Sequence, residues 1–137
     1  MGTRAEDVRE WLRRAQEDLA VARHAIADDL FEPGCFHCQQ AVEKLLRAYL
    51  VWNESTPPRV HDLPLLLDAC QKLDSSFLEK RDQWEWLTGY AIVARYPSEV
   101  PPPDQEEARR ALDAAEDCWG LVQGMLPPET HPPKRIV

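Results

Sequence analysis

Cys35-Phe36-His37-Cys38 sets two thiols and an imidazole within four residues, the side chains of a redox couple or a zinc site. A redox pair of this kind belongs after a β-strand in a βαβ unit, and no strand pattern precedes it. A structural zinc site takes four ligands, usually as two close pairs, whereas Cys70 and Cys118 stand alone. The two thiols therefore read as small buried apolar residues opening a helix, and no metal site or cofactor is expected.

The same helix offers a second chemistry. At 100° per residue, His37 and Lys44 share nearly one azimuth, with Gln40 beside them and Arg47 further along the flank. Cations and an amide in one row suit a phosphate or a base edge. The other reading is a solvated face supported by a Glu43–Arg47 ion pair at i,i+4, and spacing leaves both open. Gln39, Glu43 and Lys44 could equally stitch helices together. His61-Asp62 precedes a further helix, where Asp62 would cap N–H groups and His61 would be structural. Tyr90 and Arg95-Tyr96-Pro97 close the next one, and an arginine there is favourable through the helix dipole alone.

Twelve prolines mark out the elements that must position these side chains. A proline inside a helix costs about 3 kcal/mol, so the long proline-free stretches are the helices. The first runs over 5–28, opened by a Thr3–Glu6 capping box, with Val8, Trp11, Leu12, Ala15, Leu19, Ala22 and Ile26 as its inward stripe. The second begins after Pro33-Gly34 and continues to Trp52, and a short third covers 62–73. Ser76 and Glu79 cap a fourth that extends to Ala94, facing Phe77, Trp84, Leu87, Ala91 and Ala94 inward. Asp104 and Glu107 cap a fifth, carrying Ala108, Ala111, Leu112, Ala115, Trp119, Val122 and Leu126. No stretch alternates as a strand does. The expected fold is all-α: an up-and-down antiparallel bundle of four long helices plus one short helix over 1–126, with a flexible proline-rich tail at 127–137.

Sixteen basic residues against 24 acidic ones give a net charge of −8, which argues against broad, sequence-blind binding to nucleic acid and leaves room for a local basic pocket. No apolar run approaches the roughly 18 residues of a membrane span. The polar opening Met-Gly-Thr-Arg-Ala-Glu-Asp has no secretory signal pattern, so a cytoplasmic protein is expected.

The run Cys35-Phe36-His37-Cys38-Gln39-Gln40-Ala41-Val42-Glu43-Lys44-Leu45-Leu46-Arg47-Ala48 closely resembles the signature helix of the HEPN family (higher eukaryotes and prokaryotes nucleotide-binding). His61-x-Leu63, Tyr90, Arg95-Tyr96-Pro97 and the alanine-rich last helix follow in the family's order, so the likeness extends over about 11–123. The resemblance implies a bundle similar to the helical domain of aminoglycoside nucleotidyltransferases, a homodimer, and a prokaryotic protein paired with a minimal nucleotidyltransferase in a toxin–antitoxin-like system. It also implies nucleotide binding without a cofactor. Many members are metal-independent ribonucleases that use an arginine and, after four to six residues, a histidine. From Arg95 those positions are Val100, Pro101 and Pro102. The expectation is thus a non-catalytic nucleotide- or RNA-binding partner. Lys44, Arg47 and Arg95 would hold phosphate, His37, Gln40 and Tyr96 would read base or ribose, and His61 and Tyr90 would complete the site. The alternatives are a ribonuclease toxin using Arg95 with His37 or His61, and a pure helical interaction module.

Overall fold

The first helix, α1 (Arg4–Ala27), starts where the sequence places its cap: the Glu6 N–H donates to Thr3 Oγ1 at 3.1 Å. The structure is a computed structural model describing residues 2–91 and 101–134. Val8, Leu12, Ala15, Leu19, Ala22 and Ile26 are buried as one stripe, with Trp11 half-covered at its edge. The chain reverses at once: Asp29 adopts φ 60°, and the Leu30 N–H donates back to Ala25 O at 2.8 Å.

Helix α2 spans Phe31–Trp52 and so begins before Pro33-Gly34 rather than after it. Pro33 falls in the first turn, where a missing N–H costs nothing. Gly34 lies tight against α1. A Cβ added there would lie 2.5 Å from Ile26 Cγ1. Helix α2 is the central rod, packed against α1, α5 and α3, and it buries Cys35, Cys38, Ala41, Val42, Leu45, Leu46, Ala48, Tyr49 and Leu50.

Helix α3 (Leu63–Leu73) has Asp62 at its N-cap position, but the Asp62 side chain makes no capping bond. The Leu63 N–H is instead met by Thr88 Oγ1 at 3.1 Å, so a distant hydroxyl takes the role that local spacing gave to Asp62. Helix α4 covers only Ser76–Glu85. The Ser76–Glu79 capping box does not form, because the helix already begins at Ser76 with Ser75 at the N-cap position; the Ser76 N–H goes to Asp74 Oδ1 at 2.8 Å. After Glu85 the chain tightens into a 3₁₀ helix, Trp86–Tyr90, so the expected fourth α-helix is already interrupted there, and Ala94 lies outside the described residues. Tertiary bonds draw this turn in, since the Thr88 hydroxyl also donates to His61 O at 3.4 Å. Among the described residues three helices are therefore long, not four. Phe77 and Trp84 are fully buried, and Phe77 stands between the rings of Tyr49 (4.8 Å) and Trp84 (6.2 Å), which fastens α4 to α2.

Helix α5 (Gln105–Met125) has the expected cap, the Glu107 N–H donating to Asp104 Oδ1 at 2.8 Å. Ala108, Ala111, Ala115 and Cys118 make a narrow buried face that lets it lie close to α2. Beyond it a short 3₁₀ turn, Pro128–Thr130, returns to α1, where the Arg9 guanidinium donates to Glu129 O at 3.2 Å through Nε and also through Nη2. Thr130 is fully buried, and His131 Nε2 lies 2.9 Å from Gln123 O and 3.0 Å from Leu126 O at the end of α5. Among the described residues there is no strand, and no helix is long and apolar enough to cross a membrane.

Candidate functional site

Two acidic side chains organise the polar flank of α2. The first, Asp18, comes from α1 and is only 8% exposed. Its Oδ1 lies 2.9 Å from His37 Nδ1, and its Oδ2 accepts from the Lys44 ammonium. His37 and Lys44 do share one azimuth, seven residues apart, and both point at the same carboxylate. A carboxylate at Nδ1 fixes that nitrogen as the N–H donor and leaves Nε2 as the open ring position. Lys44 balances the charge of Asp18, as a carboxylate this far from water requires.

The second is Glu43, 5% exposed, which gathers donors from three places. His61 Nδ1 stands 3.0 Å from Oε1 and 3.1 Å from Oε2; Gln39 Nε2 donates at 3.3 Å and Arg47 Nε at 3.5 Å. The remaining Arg47 nitrogens are spent on the loop between α2 and α3: Nη1 donates to Pro58 O at 2.9 Å and Nη2 to Val60 O at 2.6 Å. With its side chain 12% exposed, Arg47 fastens that loop. The 75% exposed His61 ring is carried on the same loop.

Gln39, fully buried, joins these parts. It donates to Glu43 and to His61 O, and accepts from Gln40 Nε2 at 2.6 Å. Gln40 stands one turn along from His37. The flank is thus two imidazole–carboxylate pairs with an amide between them. Lys44 and Arg47 turn to different partners, one to Asp18 on α1 and the other to the α2–α3 loop. Asp18 is absent from the sequence reading. Its signal is a carboxylate placed between Ala15 and Ala22 at helical spacing, inside the apolar stripe.

Tyr90 lies elsewhere. Its hydroxyl donates to the Glu107 carboxylate on α5, and burial, reinforced by that bond, pushes its pKa up. Arg95, Tyr96 and Pro97 lie outside the described residues. Cys35, Cys38, Cys70 and Cys118 are all buried free thiols. Burial pushes Cys35 up to about 11 and Cys38 and Cys70 up to about 12. Among the described residues no three His, Cys, Asp or Glu side chains are placed to hold a metal ion.

Comparison with known proteins gives a consistent answer. The family model described as HEPN domain matches residues 8–125. Among solved structures the chain is similar to TT1696 from Thermus thermophilus, with a TM-score of 0.73 and 25% identity over 88% of this chain and 99% of that one. It also matches ST0689, described as an archaeal HEPN homologue, with a TM-score of 0.70 and 23% identity over 86% of this chain and 96% of that one. Among curated proteins no sequence matches.

Proposed function

Since this chain belongs to the HEPN family, we propose that it binds a nucleotide or polynucleotide along the α2 flank, without itself catalysing a reaction. In this reading it works as a homodimer beside a minimal nucleotidyltransferase, in a toxin–antitoxin-like pair. The observation that supports it is the pair of imidazoles, His37 and His61, each held at Nδ1 by a nearly buried carboxylate. Both rings are ordered before any ligand arrives, so a phosphate or ribose oxygen meets them at little entropic cost. Gln40 adds an amide between them. Lys44, with its side chain 21% exposed, retains donors beyond the one given to Asp18. Arg47 serves by holding the His61 loop. Arg95 supplies the remaining phosphate charge, and Tyr96 a stacking surface.

The test is isothermal titration of the purified protein with nucleoside triphosphates and with a single-stranded RNA, alone and together with the paired nucleotidyltransferase. Binding heat is expected, weakened about tenfold by His37→Ala or His61→Ala, the scale of one charge-assisted hydrogen bond. No heat in either setting would overturn the proposal and leave a helical interaction module.

One observation favours a second reading. An imidazole oriented by a carboxylate is the usual arrangement for general acid–base catalysis, and two of them suit transfer at a ribose 2′-hydroxyl. RNA cleavage that persists in EDTA and disappears in Arg95→Ala would replace the binding role with a ribonuclease.

A further inference from the structure

Away from the α2 flank, a groove of about 430 Å3 lies between the end of α4 and the first half of α5, lined by Gln83, Trp86, Glu106, Arg109, Arg110 and Asp113. The Arg110 guanidinium carbon sits 4.2 Å from the centroid of the Trp86 ring. That ring is itself fixed, its Nε1–H donating to Gln83 O at 2.6 Å and its edge meeting Tyr90 at 5.9 Å between centroids. Glu106 stands four residues before Arg110, the favourable order for a helical ion pair, yet Arg110 lies on the indole instead. Neither Arg109 nor Arg110 forms an ion pair with any carboxylate among the described residues.

On a chain of net charge −8, two adjacent guanidinium groups outside ion pairs need a reason. Arg110 is exposed and its guanidinium is held over the Trp86 ring, and a guanidinium so placed offers its other side for stacking on a nucleobase. The second guanidinium provides two N–H groups for one phosphate. Glu106 and Asp113 at the margins accept hydrogen bonds from a base edge that donates them, and repel further phosphates. We propose that this groove binds a single base-plus-phosphate unit, with the base stacked on Arg110 and the phosphate on Arg109. The unit is either a free nucleoside monophosphate or one residue of a single-stranded RNA. The site is separate from the α2 flank.

The experiment follows the Trp86 indole N–H signal of the isotope-labelled full-length protein by NMR, with Trp86→Phe for assignment. Probes are GMP, guanosine, inorganic phosphate, a single-stranded RNA hexamer and an acidic peptide. Because the readout is local, it is independent of ligand binding on α2. GMP is expected to move the signal at concentrations about tenfold lower than guanosine or phosphate alone, as joint stacking and ion pairing require. Arg110→Ala should weaken the GMP response about tenfold with no rescue by Arg110→Lys, since an ammonium does not stack. Arg109→Lys should retain most of the response that Arg109→Ala loses. Both arginines are exposed, so unchanged thermal melts will exclude misfolding. A response to the hexamer alone supports the site and identifies polymer as its source. The proposal is overturned if neither GMP nor the hexamer moves the signal, if only the acidic peptide does, or if Arg110→Ala responds like the parent.

Discussion

Asp18 Oδ1 lies 2.9 Å from His37 Nδ1, so a carboxylate inside the apolar stripe of α1 orients an imidazole of α2. Its other oxygen takes the Lys44 ammonium, and the Asp18 side chain is only 10% exposed. Asp18→Asn keeps the volume but leaves that ammonium without its counter-ion, at an expected cost of about 2 kcal/mol. Urea denaturation measures it. The paired change Asp18→Leu with Lys44→Met should recover most of the loss, because a well-packed apolar pair can replace a buried ion pair. A double variant no more stable than Asp18→Asn would mean the pair contributes more than charge balance.

Arg47→Lys tests the clamp on the loop. One ammonium cannot reach Glu43, Pro58 O and Val60 O together as the guanidinium fork does. A loss of about 1 kcal/mol is expected, with faster tryptic cleavage after the exposed Arg59, by about fivefold, as the loop opens locally. Unaltered cleavage would show that the loop is held by other contacts.

Gly34→Ala sets two effects against each other. Alanine is favoured over glycine in a helix by at most ~1 kcal/mol, and by less in the first turn. The added Cβ would stand 2.5 Å from Ile26 Cγ1, and overpacking of this kind costs about 1–3 kcal/mol. Net destabilisation of about 1 kcal/mol is expected. Combining it with Ile26→Ala, which removes the opposing atom, should cost less than the two separate losses added together. Strict additivity would show that the clash is relieved some other way.

The four buried thiols make stability fall on the alkaline side. In the unfolded chain they ionise near 9.0, whereas in the folded chain burial holds Cys35 to about 11 and Cys38 and Cys70 to about 12. The folded state therefore keeps protons that the unfolded state releases. Stability is complete below pH 9 and declines from there toward pH 12. Urea midpoints at pH 8 and pH 10.5 should differ, and the difference should shrink in Cys70→Ala. At pH 8 a thiol reagent should label all four cysteines in denaturant and react only slowly with the native protein.

What the sequence made legible was local. Thr3 and Asp104 cap their helices because cap and recipient N–H lie three residues apart, and the stripes of α1 and α5 follow directly from period 3.6. The readings that failed depended on residues far away in the chain. Asp62 does not cap α3 because Thr88, 26 positions later, is the acceptor at Leu63, and α4 is cut short where Thr88 is drawn in. The flank of α2 was visible as a row, but its partners were not. Asp18 comes from another helix and the carbonyls of Pro58 and Val60 from a loop, so periodicity could not show that Lys44 and Arg47 serve different ends.

The tight reversal at Asp29 has a bearing on the order in which the molecule assembles. Helices α1 and α2 share the most extensive contact in the structure and are separated by only a few residues. Closing that hairpin costs little chain entropy, and contacts so near in sequence form quickly. Both histidine–carboxylate arrangements have their acidic member within the first 43 residues, and the Asp18–His37–Lys44 set lies wholly inside the hairpin. Its polar groups can thus find one another while the last helix is still being synthesised, and α5 then docks onto a surface whose chemistry is already in place.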